Sequence, residues 1–158
     1  MKWLFLDNGI KDRSLSIDPA LRRIGIFDGG YTYCSYSTVR LAAAAVVRVL
    51  DNPDKTKNKV VHVQSFCVSQ DEIKASLERV TRERWTPVSM GHPVYTPFLL
   101  DLAQRDHFEA TKILAHLVGV AEGDYATESG LDMTELGMPM QMEPLDYVVR
   151  KALELESN

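Results

Sequence analysis

Val60-Val61-His62-Val63-Gln64-Ser65-Phe66 runs within a few residues into Ser69-Gln70-Asp71-Glu72-Ile73, and the fold class is read at that junction. The first stretch is β-branched and reads as a strand ending at Gln64-Ser65-Phe66. The second is a capping box: the Ser69 hydroxyl and the Glu72 carboxylate each serve the other end's backbone N–H, which opens a helix with Ile73, Leu77 and Val80 on its apolar stripe. Upstream, Ser35 to Leu50 is the clearest helix. Ser37 or Thr38 caps it. Leu41, Ala42, Ala45, Val46, Val49 and Leu50 form its stripe, and Asn52-Pro53 ends it. Ile24-Gly25-Ile26-Phe27 is a strand. Asp28-Gly29-Gly30 has the positive-φ residues of a tight turn, and Tyr31-Thr32-Tyr33 resumes strand composition, so a hairpin is expected here. Trp3-Leu4-Phe5-Leu6 reads as a strand end stopped by Asp7-Asn8-Gly9, and Trp85-Thr86-Pro87-Val88 as a short strand. Helices are expected over 96–105 and 107–120, and from Pro144 onward, with an acidic, Met- and Gly-rich loop over 121–143. The order of elements gives an α/β fold tending to α+β, a small sheet with helices concentrated late, in one domain over residues 1–158.

The chain has 158 residues, 45% apolar and 25% charged, with net charge −4. That is ordinary globular composition. Bases are scattered, and the one cluster, Lys55, Lys57 and Lys59, reads as a solvated turn, so no nucleic-acid partner is expected. The longest uncharged apolar run, Leu41 to Val47, is far short of a membrane span. Met1 to Asp7 holds too few apolar residues for a signal peptide, and Cys34 and Cys67 read as free thiols, so a cytoplasmic location is expected.

Motifs for chemistry are sparse. There is no G-x-G-x-x-G before a helix and no G-x-x-x-x-G-K-[ST]; Gly25, Gly29 and Gly30 sit between strands. The four histidines, His62, His92, His107 and His116, have no metal-ligand spacing, and no metal is expected. His62 reads as a structural histidine among valines. His92 lies in Met90-Gly91-His92-Pro93-Val94-Tyr95, a loop of the kind that carries function, although a surface histidine fits as well. Asp7 is either a polar group in an apolar pocket or part of a turn.

Taken in order, the segments resemble one family. Phe5-Leu6-Asp7-Asn8-Gly9-Ile10 resembles the F-L-D-W-G-L segment of fungal NmrA-like, isoflavone-reductase-like proteins. Phe27-Asp28-Gly29-Gly30 resembles their D-G-G turn, and Ser37-Thr38-Val39 with the Ala-rich helix resembles their S-T-T segment. Asn58 to Phe66 resembles N-R-Y-V-Y-V-Q-S-F, Ser69 to Ile73 resembles T-Q-N-E-I, and Leu136-Gly137-Met138-Pro139 resembles L-G-L-P. Arg40 and Leu41 stand where the family commonly has an acidic D-I pair.

The resemblance implies an atypical short-chain dehydrogenase, of which this sequence matches the smaller, substrate-facing part. The glycine-rich cofactor motif and the catalytic lysine of the reductases have no counterpart here. The implied function is action on a small secondary-metabolite type molecule without an NAD(P) site of its own. That means a cofactor-independent isomerase, cyclase or dehydratase, or the substrate domain of an oxidoreductase that takes NADP from a separate Rossmann half. The alternative is a non-catalytic regulatory or protein-binding module. The expected site joins Asp7, His92 and Tyr95 as proton-exchanging groups with Phe5, Asn8, Phe98 and Tyr125 around the substrate. The Ala42–Ala45 helix face and the Val60–Val63 strand are the expected interface of a homodimer.

Overall fold

The computed structural model describes residues 5–105, 108–122, 130–139 and 143–154. The chain runs α1 (Leu6–Lys11), β1 (Ile17–Asp18), β2 (Arg23–Phe27), β3 (Cys34–Tyr36), α2 (Val39–Asp51), α3 (Pro53–Thr56), β4 (Phe66–Val68), α4 (Gln70–Thr81), β5 (Thr86–Met90), α5 (His92–Gln104), α6 (Phe108–Glu122) and α7 (Leu145–Ala152), with a 3₁₀ turn at Thr134–Leu136. β2 is the middle strand of three. β1 lies antiparallel on one side, with Ile17 opposite Ile24, and β5 lies parallel on the other, from Arg23 opposite Thr86 to Phe27 opposite Met90. A parallel neighbour needs a long crossover, and everything from β3 to α4 is that crossover. β3 and β4 form a separate antiparallel pair, Ser35 opposite Cys67. This is the expected mixed α/β fold.

Three local expectations are corrected. The turn at Asp28-Gly29-Gly30 is real, with φ of 45°, 88° and 79°, but it does not make a hairpin. Tyr31 and Tyr33 are exposed and unstranded, because β2 is already flanked by β1 and β5. The chain leaves the turn for the β3–β4 pair instead. Gly30 is required there: a Cβ would crowd Ile26 and Asp71, while its carbonyl accepts the Asp71 N–H at 3.2 Å. The opening segment turns helical at Leu6 rather than ending as a strand. Leu6 and Ile10, one turn apart, are both fully buried, and bare Gly9 between them admits the Leu15 side chain. Val60–Val63 makes no ladder; Val61 has a single parallel bridge to Leu131, and the strand proper is three residues later.

The capping box stands as read. The Glu72 N–H donates to Ser69 Oγ at 3.2 Å, and the Ser69 N–H donates to Glu72 Oε2 at 2.9 Å. Thr38 caps α2, its Oγ1 accepting the Leu41 N–H at 3.2 Å. Gln70, the first residue of α4, is buried. Its Oε1 accepts the Phe27 N–H at 2.8 Å and its Nε2 donates to the Gly25 carbonyl at 3.0 Å, tying the helix start to β2.

The main core gathers α1, the sheet, α4 and α7: Leu6, Ile10, Ile24, Tyr36, Ile73, Leu77, Trp85, Val148 and Val149. Asp146 at the start of α7 accepts from Ser76 Oγ at 2.6 Å and from both ends of the Arg79 guanidinium, which fixes α7 on α4. A second cluster joins Phe27 to Leu99, Ala110 and Leu117 of the α5–α6 hairpin. A third sets Leu41 and Ala45 of α2 against Met133 and Met138. The acidic loop is therefore only partly solvated: Leu131, Met133, Leu136 and Met138 are buried. Cys34 is buried and Cys67 partly so, and neither is in a disulfide among the described residues.

Candidate small-molecule site

Two of the expected site residues meet at the N-terminus of α2. Phe5 is half-buried just ahead of α1, and its backbone bridges to Ser37, with the Leu6 N–H donating to the Ser37 carbonyl at 2.9 Å. Asp7 sits in the first turn of α1, and both its carboxylate oxygens accept the Val39 N–H at 3.3 Å. One of the orphan amides of α2 is satisfied in this way by a neighbouring helix rather than by its own cap. Asn8 is exposed.

The other residues belong to the α5–α6 hairpin. His92 and Tyr95 lie in the first turn of α5, their side chains outside the described residues; Tyr125 lies outside them altogether. Phe98, one turn further along α5, is 58% exposed. Val94, Leu100 and Phe108 are exposed beside it in sequence, so this hairpin carries more apolar surface than its own core covers. Lys112 of α6 ties the hairpin to the end of α1, its Nζ lying 3.5 Å from Asp12 Oδ2 and donating to the Asp12 carbonyl at 3.4 Å.

The structure also shows a pair that the sequence did not single out. Tyr36 Oη lies 3.3 Å from His116 Nε2, with the imidazole edge-on to Phe27 at 5.5 Å between ring centroids. Both side chains are buried. Burial pushes the His116 pKa down to about 3 and raises that of Tyr36 well above the usual phenol range. Both are neutral at physiological pH and shut away from water, so the pair holds α6 on β3 and does not shuttle protons. Among the described residues His116 Nδ1 has no hydrogen-bond partner. A histidine inside the apolar run of α6 was the only hint, and nothing linked it to a tyrosine 80 residues away.

Among the described residues, two surface depressions bear on a candidate site. A groove of about 320 Å³, almost wholly apolar, is lined by Phe5, Val39, Ala42, Ala43 and Val46. A crevice of about 630 Å³ at the end of α4 is lined by Lys74, Glu78, Arg82, Glu83, Arg84, Trp85 and Pro87, none of them an expected site residue. Its charges are partly matched, Lys74 to Glu78 within it at 3.0 Å and Glu83 to Arg22 Nη2 outside its lining at 2.7 Å. Among the described residues no cluster of His, Cys, Asp or Glu is suited to a metal, and no helix is long and apolar enough to cross a membrane.

Comparison with known proteins then places the fold. The crystal structure of isoflavone reductase matches 94% of this chain with a TM-score of 0.67 at 17% identity, the match covering 50% of that protein. The fold is that of the isoflavone-reductase-like reductases. Leucoanthocyanidin reductase from Vitis vinifera matches 84% of the chain (TM-score 0.62, 14% identity, 46% of that protein). Triphenylmethane reductase from Citrobacter sp. matches 98% (TM-score 0.60, 18% identity, 52% of that protein). In sequence, the oxidoreductase poxI of Penicillium oxalicum is 35% identical over 60 residues, 38% of this chain and 19% of that protein. The chain thus spans about half the length of these reductase structures and a fifth of the curated oxidoreductase. No family model matches it.

These reductases include one solved with NADPH, which raises the question of whether the residues here fit a dinucleotide. At α2, α4 and α7 they do not. Pyrophosphate recognition needs free N–H groups and a positive field at a helix N-terminus. At α2 those groups meet the Asp7 carboxylate and the Thr38 hydroxyl. At α4 they meet the capping box, with Asp71 and Glu72 in the first turn. α7 carries Asp146 in its first turn, whereas α5 begins His92-Pro93 behind Gly91 with no side-chain cap and no acid in its first turn. The Gly29-Gly30 turn leads into an extended segment rather than a helix.

Proposed function

We propose that this chain is the small-molecule-binding part of an isoflavone-reductase-like oxidoreductase, and that it takes an apolar aromatic compound against the α5–α6 hairpin. The observation that carries this reading is the exposed apolar surface of that hairpin, Val94, Phe98, Leu100 and Phe108, in a fold whose solved relatives are reductases named for isoflavone, leucoanthocyanidin and triphenylmethane substrates. An aromatic face such as Phe98 binds a planar ring through area and ring geometry. His92 and Tyr95 precede Phe98 at one-turn spacing along α5, and histidine and tyrosine are side-chain types that serve as general acids and bases. Asp7 is the carboxylate proposed to act with them. On this reading the chain's own groups move protons, as in isomerisation, cyclisation or dehydration. Hydride transfer, on this reading, takes its dinucleotide from a Rossmann half outside these residues.

The test is a titration of the purified chain with a triphenylmethane dye and with an isoflavone, followed by the change in ligand absorbance. Saturable binding is expected, weakened at least tenfold by Phe98→Ala. NADPH, followed by its own fluorescence, is expected to show no saturation in the low micromolar range. Binding of neither aromatic compound, or binding indifferent to Phe98→Ala, overturns the site. Low micromolar NADPH binding overturns the cofactor statement separately.

A further inference from the structure

We propose that the crevice at the C-terminal end of α4 binds a phosphate dianion, free or carried by a small organic molecule, between the guanidinium groups of Arg82 and Arg84. The site shares no residue with the α5–α6 surface and does not depend on the reading of that surface. Its volume of about 630 Å³ is within the range of small-molecule pockets. What selects the ligand is how the charges around it are already used. Glu78 Oε1 accepts from Lys74 Nζ and from the Trp85 N–H, each at 3.0 Å. The Trp85 amide and Lys74 hold the Glu78 carboxyl below the usual carboxylate range, so it stays ionised and committed. Glu83 is taken by Arg22, whose guanidinium meets both carboxylate oxygens. Arg82 and Arg84 line the same crevice, are exposed, and make no hydrogen bond or ion pair among the described residues.

Two cations lining one crevice repel each other, and both carboxylates beside them have partners already. The lining carries Lys74, Arg82 and Arg84 against Glu78 and Glu83, and Arg22 adds a further base at its margin, in a chain whose net charge is −4. The positive field is therefore local and runs against the charge of the whole. A helix C-terminus attracts a cation by its dipole, but α4 already has Arg79 in its last turn, and two more arginines just beyond it exceed that use. The turn that presents them is fixed. Trp85 Nε1 donates to Thr81 Oγ1 at 3.1 Å, and the Thr86 N–H donates to the Arg22 carbonyl at 2.8 Å. Arg82 itself ends α4 at φ 57°, a left-handed position where glycine is the usual residue. A guanidinium offers paired N–H donors that match phosphoryl oxygens, and two of them balance a dianion. Trp85 and Pro87 complete the lining with apolar surface for the body of an organic ligand.

The test is isothermal titration of the full chain at pH 7.5 and constant ionic strength, with phenyl phosphate and with inorganic phosphate. Saturable binding is expected. Arg82→Gly and Arg84→Gln should each weaken it at least tenfold, because each removes hydrogen bonds between charged groups. Arg82→Gly also relieves the left-handed backbone, so its thermal midpoint should hold or rise while binding falls, which separates the site from the fold. Arg48→Gln, at an exposed arginine of α2, should bind as the wild type does. Tighter binding of phenyl phosphate assigns the site to an organic phosphomonoester, and equal affinities assign it to the free anion. No saturation with either compound overturns the proposal, as does binding indifferent to Arg82→Gly and Arg84→Gln, or a loss that Arg48→Gln shares equally.

Discussion

Lowering the pH from 7.5 to 5 should cost this protein about 2 kcal/mol through His116 alone, as follows from unfolded and folded pKa values of 6.5 and about 3. In the folded chain burial disfavours the imidazolium; in the unfolded chain the ring takes up a proton near its ordinary pKa. Its contribution to stability is therefore complete above pH 6.5 and shrinks as pH falls toward 3. By pH 5 the unfolded state binds that proton almost fully and the folded state barely at all, a difference of about 1.5 logarithmic units, or about 2 kcal/mol. The groups around the ring do not offset this. Tyr36 is neutral, Phe27 is apolar, and Lys112, one turn back on α6, is paired with Asp12. Asp12, Glu78, Asp132 and Asp146 all titrate below the usual carboxylate range in the fold, so their losses fall mainly at lower pH. The assay is urea unfolding by circular dichroism at pH 7.5 and pH 5, on the wild type and on His116→Gln. That variant keeps an acceptor for the Tyr36 hydroxyl and does not titrate. The wild type should lose about 2 kcal/mol more than the variant between the two pH values. Equal losses would refute the reasoning and show that His116 reaches water in the fold.

Two further outcomes test the frame around β2. Gln70→Leu strips both the Phe27 N–H and the Gly25 carbonyl of their partner and should cost about 3 kcal/mol in urea unfolding, from about 1–3 kcal/mol for each buried group left unsatisfied. Gly30→Ala places a side chain at φ 79° against Ile26 and Asp71, and should lower the thermal midpoint with a loss of at least about 1 kcal/mol.

What the sequence made legible was local. The capping box at Ser69–Glu72, the cap read at Ser37 or Thr38 and found at Thr38, and the strand read at Trp85–Val88 and found at Thr86–Met90 are each set by a few consecutive residues. What it hid depends on distant partners. Nothing within residues 24–33 records that β2 will be flanked by β1 and by a strand sixty residues on, so a two-strand reading of Asp28-Gly29-Gly30 was natural and wrong. Asp7-Asn8-Gly9 has turn composition, yet the burial of Leu6 and Ile10 overrides it and the segment coils. Valines 60, 61 and 63 have strand propensity without a neighbouring strand to pair with. Phe5 and Asp7 lie in one short stretch, so that they sit together at the start of α2 was legible. Tyr36 and His116 were missed because a β3 tyrosine and an α6 histidine become neighbours only when the crossover closes.

The Gln70 amide has a consequence beyond its two hydrogen bonds. On the β1 side of β2, the Gly25 N–H is taken by the Ser16 carbonyl, and there β1 gives out. The Gly25 carbonyl and the Phe27 N–H point the same way, since alternate residues of a strand share a side. A side-chain amide offers one acceptor and one donor at the spacing of a peptide group, so Gln70 stands where the next residue of a strand would be. An uncovered strip of backbone at a sheet margin is a template on which another chain adds itself. In this fold a single glutamine side chain, held in place by the helix it begins, occupies the two backbone groups that such a strand would need.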